Sequence, residues 1–152
     1  MLSSRTKYAT RALLDLTLHR ESGPVLIHDI AERQNIPVKF LEQILLTLKQ
    51  QGFVDSRKGR GGGYFLAKAP QAITLGAVVR ALDGPLAPMS CVSVSGYMEC
   101  GCRDAVTCGL RTVWQEARNA LSDVLDQTTF ADIQQRQQAL HGQTFDFYDY
   151  VI

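Results

Sequence analysis

The sequence has no run of eighteen consecutive apolar residues, which is the length needed to cross a bilayer as a helix. No secretory leader is expected either: the opening Leu2-Ser3-Ser4-Arg5-Thr6-Lys7-Tyr8 sets polar and basic residues where such a signal needs an apolar core. The expectation is a soluble, cytoplasmic protein with no membrane partner. Internal repeats and low-complexity tracts are absent, which argues against solenoids and disordered arrays. No Ser-His-Asp or Cys-His arrangement, paired-carboxylate motif or phosphate loop stands out, so an enzyme is not expected. Cysteine is scarce, four residues in all, and none follows the C-x2-C pairing of a zinc ribbon.

What is present begins with 45% apolar residues in 152, enough for one sizeable core and a smaller appendage. The net charge of +1 hides an asymmetry, because residues 1–70 hold 11 Lys and Arg against 6 Asp and Glu, whereas residues 71–152 hold 5 against 9. Such a division suggests that the first half faces a polyanion, for which nucleic acid is the obvious candidate and ordinary surface variation the alternative.

Helical spacing of Tyr8, Ala9, Ala12, Leu13 and Leu16 predicts an amphipathic first helix from Ser4 to about Arg20, with Arg5, Lys7, Arg11 and Asp15 on its solvent side. Gly23-Pro24 stops it, and a short helix over His28–Gln34 buries Ile30 and Ala31. Asn35-Ile36-Pro37 makes a tight turn, since Asn tolerates a left-handed backbone. A third helix over Val38–Gln51 turns Phe40, Leu41, Ile44, Leu45 and Leu48 inward, with Gly52 as its stop. The period then changes: Phe53–Ser56 and Gly63–Leu66 read as two strands around the loop Arg57-Lys58-Gly59-Arg60-Gly61-Gly62. Thr74 caps a fourth helix over Leu75–Leu82. Residues 84–107 show no periodicity, and an unstructured connection of that length is commonly functional. From Cys108 to about Asp126, Leu110, Trp114, Ala117, Leu121 and Val124 form the seam of a helix that packs along another helix. Thr128 or Thr129 caps a last helix through Leu140, followed by an acidic and aromatic tail, Phe145–Tyr150.

Two short helices joined by a tight turn and followed by a basic hairpin form a winged helix-turn-helix, in which one helix enters the major groove and the wing reaches an adjacent groove. Lys39, Glu42 and Gln43 open the third helix and are not needed for its apolar face. Gln pairs with adenine and Glu accepts from cytosine N4, while Lys39 suits a phosphate or guanine. Arg57, Lys58 and Arg60 alternate with glycines that leave phosphates or a narrow minor groove accessible. Arg5 and Lys7 join this DNA-facing set. A nucleotide cradle is the rival reading of the glycines, but the run lacks the Lys-Ser/Thr of a P-loop.

All four cysteines fall in one short stretch, spaced Cys91-x8-Cys100-x-Cys102-x5-Cys108. In a reducing compartment this argues for metal binding or redox chemistry more than for structural disulfides. By spacing alone an iron–sulfur cluster, zinc, a thiol–disulfide switch and inert thiols all stay open. His19, His28 and His141 lie on polar stretches far from the cysteines, where an exposed histidine is the default.

Together these residues resemble the Rrf-type winged-helix regulators of the IscR, NsrR and CymR kind. The carriers are Lys7-Tyr8-Ala9 with Leu13-Leu14, Asp29-Ile30-Ala31-Glu32 before Ile36, Phe40-Leu41-Glu42-Gln43-Ile44 with Leu48, Gly52-Phe53-Val54, and Gly59-Arg60-Gly61-Gly62-Gly63-Tyr64. Cys102-x5-Cys108 followed by Trp114 is similar to that family's cluster loop and dimerisation helix. The resemblance implies a mainly α homodimer with a winged helix-turn-helix DNA-binding domain over 1–83 and a cysteine-rich cluster-binding loop over 84–107. A dimerisation helix and short helix over 108–140 and a tail over 141–152 complete the division. It implies Cys91, Cys102 and Cys108 as cluster ligands. The family's usual fourth ligand, a histidine just after the last cysteine or an acidic residue in the first helix, is replaced here by Arg111 and Lys7. Both are poor ligands while protonated, so the fourth place falls to Cys100 as candidate or to another residue across the dimer. The implied function is binding to a pseudopalindromic operator under control of an iron–sulfur cluster, 2Fe-2S ahead of 4Fe-4S, that senses redox, nitric oxide or iron–sulfur status. The CymR branch implies an alternative, a cluster-free repressor controlled by a partner enzyme of cysteine metabolism. A redox enzyme using Cys100 and Cys102 is the third reading.

Overall fold

The computed structural model describes residues 2–141, so the tail Phe145–Tyr150 lies outside the described residues. All six predicted helices and the hairpin form. Helix α1 spans Ser4–Leu18, and the Ser3 hydroxyl accepts from the Thr6 N–H at 3.2 Å, the bond expected of a serine N-cap. The helix stops short of Arg20, which enters a single 3-10 turn over Arg20–Ser22 that ends at Gly23 with φ of 85°. Helices α2 (Ile27–Gln34) and α3 (Val38–Gln50) meet at Asn35, whose φ of 51° and ψ of 53° confirm the left-handed turn. Strands β1 (Val54–Arg57) and β2 (Gly63–Leu66) pair antiparallel, with Val54 opposite Leu66 and Arg57 opposite Gly63. Helix α4 spans Leu75–Asp83, with Thr74 accepting from the Ala77 N–H at 3.2 Å. Helix α5 runs over Gly109–Gln127 and α6 over Phe130–His141.

Helix α1 is central to the head and is packed by α2, α3, α4 and α6. Ala9, Ala12, Leu13, Ile30, Leu41, Ile44, Leu45 and Leu48 are fully buried around it. At about 1.5–3 kcal/mol for each large side chain fully removed from water, this cluster drives closure of the head. Phe40 is the exception to the predicted inward face. It is half-buried and meets Tyr8 edge to face at 5.7 Å between ring centroids.

Crowding of α1 on several sides corrects one expectation. Asp15 is 1% exposed and does not face solvent, because the guanidinium of Arg33 grips both its carboxylate oxygens at 2.9 and 2.7 Å and Gln34 adds a bond at 3.0 Å. His19 is likewise half-buried, its ring Nδ1 lying 2.8 Å from the Asp15 carbonyl oxygen. A buried carboxylate this well provided with donors locks α1 against α2, and removing one partner alone would leave charge stranded.

Helix α6 returns to the head. Phe130 is fully buried in the same core, its N–H donates to the Ile73 carbonyl at 3.0 Å, and the Leu75 N–H donates to Thr128 at 2.9 Å. Thr129 caps α6 reciprocally with Asp132: the Thr129 N–H donates to the carboxylate at 2.8 Å while the Asp132 N–H donates to the hydroxyl at 3.2 Å. The head's core therefore draws on residues far beyond 83. Helix α5 is the opposite case, a 19-residue arm of about 28 Å with no buried residue.

Candidate functional site

Two features stand out, a basic face on the head and a thiol pocket at the root of α5. On α3 the apolar residues Leu41, Ile44, Leu45 and Leu48 point inward, which leaves Lys39, Glu42 and Gln43 exposed together on the outer side. Arg5 approaches this helix from α1 by donating to the Thr47 hydroxyl, and Lys7 is exposed beside Tyr8. Arg57, Lys58 and Arg60 are exposed at the hairpin tip.

The wing's placement depends on two glycines. The Tyr64 and Val25 main chains exchange hydrogen bonds, each at 2.8 Å, so the hairpin is anchored to the segment before α2, a third strand-like element that the sequence pattern did not reveal. At Gly63, where φ is 143°, a Cβ would lie 2.5 Å from the Val25 carbonyl oxygen; at Gly62 it would lie 2.3 Å from that of Arg57. Neither approach leaves room for a side chain. A neighbouring cleft of about 460 Å³ between α1 and the hairpin adds Arg20 and Lys68 to the cations on this side of the molecule.

The loop from Gly84 to Cys108 is held down by few contacts. Leu86 and Val92 are buried, a 3-10 turn spans Ser90–Val92, and Arg118 of α5 donates to the Val92 carbonyl. That is enough to bring all four cysteines to one pocket. Cys91, Cys100, Cys102 and Cys108 line a cavity of about 110 Å³, closed on its other sides mainly by Met89, Leu110, Arg111 and Trp114. The thiols are free; Cys91 and Cys108 are half-buried, whereas Cys100 and Cys102 are exposed. Cys108 is the N-cap of α5.

The thiols sense one another. The backbone N–H of Cys102, and then its thiol, hold the Cys100 thiol below its ordinary range. Cys102 is pushed up because its thiol serves Cys100 and a second negative charge so close is resisted, with Cys108 and Cys91 adding to the repulsion. Among the described residues no three His, Cys, Asp or Glu side chains already stand in a closed metal-holding arrangement. Four soft sulfur donors lining one pocket are chemically suited to a thiolate-bound group.

Residue spacing brought out the four cysteines and the outer face of α3, but not Arg111 as a wall of the pocket. The signal was available: Arg111 follows Cys108 by three residues, which on a helix places both on one side. Trp114 also has two roles, as a pocket wall and as part of the exposed seam.

A winged helix-turn-helix head with a basic hairpin, carrying an amphipathic helical arm, defines a DNA-binding regulator of transcription. The profile of the Rrf2 family, described as iron-dependent transcriptional regulators, matches residues 2–136, and the chain belongs to that family. It is 41% identical over 137 residues to the rrf2-like HTH-type transcriptional regulator of Rhodobacter capsulatus, covering 88% of this chain and 91% of the relative. Identity to the HTH-type transcriptional regulator IscR of Erwinia tasmaniensis is 37% over 139 residues, 91% of this chain and 81% of that protein. The structure of CymR, the global cysteine regulator of B. subtilis, superposes with a TM-score of 0.76 at 30% identity, covering 90% of this chain and 97% of CymR. That of T. potens IscR gives 0.73 at 30% identity, covering 99% and 96%. The relatives are regulators and not enzymes, as expected for this chain. No described helix is long and apolar enough to cross a membrane.

Proposed function

We propose that the protein is a homodimer that grips a pseudopalindromic operator through Lys39, Glu42 and Gln43 in the major groove, with Arg5, Lys7, Arg57, Lys58 and Arg60 on the phosphates and in the minor groove. Its hold on DNA is governed by an iron–sulfur cluster on Cys91, Cys102 and Cys108, with Cys100 as fourth ligand. The observation that carries this reading is the convergence of all four thiols on one small pocket at the N-terminus of α5. The cluster proposed is 2Fe-2S rather than 4Fe-4S. When bound, the cluster supplies sensitivity to redox, nitric oxide or iron–sulfur status, in a protein that works in the cytoplasm.

The chain's own residues provide the connection to the head. Arg118 joins α5 to the main chain beside Cys91, and Arg80 of α4 forks onto Asp126 near the far end of α5 at 2.5 and 2.8 Å. Arg80 holds the Asp126 carboxyl below the usual carboxylate range. Movement of the cysteine loop is thus passed to α5 at one end and to the head at the other. A difference of about 1.4 kcal/mol between two arrangements changes relative affinity tenfold, so a small tilt of the paired heads is sufficient.

Protein isolated without oxygen is expected to be coloured, to contain iron and acid-labile sulfide, and to change its operator affinity at least tenfold when the cluster is removed. Colourless protein with stoichiometric zinc would overturn the cluster. The likeness to CymR favours a second reading, a cluster-free repressor controlled by a partner enzyme of cysteine metabolism. Operator affinity left unchanged by replacing all four cysteines selects that reading.

The DNA contacts separate by pattern. Glu42→Ala is expected to relax preference at one base pair by about 1–3 kcal/mol, whereas Arg60→Ala weakens all sequences alike and flattens the salt dependence by about one phosphate contact. Binding measured on a set of single-base operator variants at several salt concentrations distinguishes the two. A uniform loss for Glu42→Ala would remove its reading role.

A further inference from the structure

We infer that Arg111 is a positioning residue for the thiol pocket, one whose guanidinium gives a hydrogen bond and a fixed positive charge to the sulfur-rich core held there and so sets how readily that core accepts an electron. This rests on the cluster reading above and concerns a residue that takes no part in ligation.

The observation behind it is an unused donor. Arg111 lines the cavity with the four cysteines, and its Nη1 donates to the Ala105 carbonyl at 3.3 Å, tying the first turn of α5 to the loop. Its Nε is shut off from solvent and has no hydrogen-bond partner, one of two buried side-chain polar atoms in that condition among the described residues. A sealed N–H without an acceptor is rare in a folded protein and points to a partner that the polypeptide does not itself contribute. The pocket wall around it is otherwise apolar apart from thiols, so sulfur is the acceptor at hand.

The chemistry agrees. A cluster held by these four thiolates would carry net negative charge in a site with apolar walls. Uptake of one electron breaks no bond and adds one more negative charge. A guanidinium, which stays protonated at any working pH, stabilises the reduced form more than the oxidised one, and its planar fork can meet sulfur without leaving the Ala105 carbonyl. Arg103 lies in the same loop but is exposed and outside the pocket, so it makes the natural comparison.

The test is a mediated redox titration, followed by visible and electron paramagnetic resonance spectra, of the full-length protein isolated without oxygen. Arg111→Gln is expected to make reduction at least tenfold less favourable, a potential lower by about 59 mV for one electron, and to hasten loss of iron to a chelator. Arg103→Gln leaves both nearly unchanged. A Gln variant within twofold of the parent, or an equal shift in Arg103→Gln, overturns the inference. If the Gln variant fails to retain iron, Arg111→Lys decides the matter, because it keeps the charge and loses the fork: a partial shift supports the role and none overturns it. Parent protein without iron or sulfide overturns the cluster reading itself, a result distinct from a loaded protein indifferent to residue 111.

Discussion

In the proposed homodimer, Leu121→Glu is expected to yield a monomer and to weaken operator binding by a factor of about 10²–10⁴, the advantage that linking two half-site contacts confers. Helix α5 carries Leu110, Trp114, Leu121 and Val124 on one side at steps of four, seven and three; in the single chain Leu110 is 72% and Val124 63% exposed, whereas Trp114 and Leu121, which also border pockets, are 39% and 43% exposed. A stripe of this kind along about 28 Å is what a second helix fills with interlocking side chains. Glutamate at its centre would have to lose its hydration on pairing, at a cost of several kcal/mol, against an apolar gain of about 25 cal/mol for each Å² covered. Sedimentation across a concentration series, with fluorescence anisotropy on labelled operator, reads both effects. A Leu121→Glu protein that stays dimeric would place the interface elsewhere, and an unaltered fold by circular dichroism separates assembly from stability.

Phe130→Ala is expected to destabilise the fold by about 3–5 kcal/mol, since a fully buried aromatic ring leaves a cavity that its neighbours cannot fill. At about 2–4 °C per kcal/mol for a chain of this size, the melting temperature should drop by roughly 10 °C. The result bears on function because Phe130 begins the helix that packs on α1, and α1 supports the recognition helix α3. Denaturant titration gives the free energy directly. A change below about 1 kcal/mol would mean that α6 is dispensable to the head.

The helices and the hairpin were legible because each announces itself locally. Apolar residues recur at the helical period, Thr74 supplies a cap, Asn35 allows the left-handed turn, and glycines mark the hairpin. What escaped the sequence depends on contacts between distant segments. Asp15 reads as a solvent residue by its charge, and only the fold shows that Arg33, on another helix, supplies a matching fork. Val25 carries no strand signal of its own and pairs with Tyr64 because Gly63 lets the two main chains meet. Within the candidate site, spacing located the cysteines without showing that Cys100 turns to the same cavity as the other three. Arg111 could be read as a missing ligand but not as a sealed donor, because burial of a single nitrogen is a property of packing.

The return of α6 to α1 also bears on how the molecule is made. During translation the wing, the thiol loop and α5 all emerge before Phe130, so the nascent head waits with an unfilled hole beneath its first helix. Closing that hole requires α6. Formation of the proposed groove-reading surface would thereby be tied to the synthesis of α6, beyond the arm.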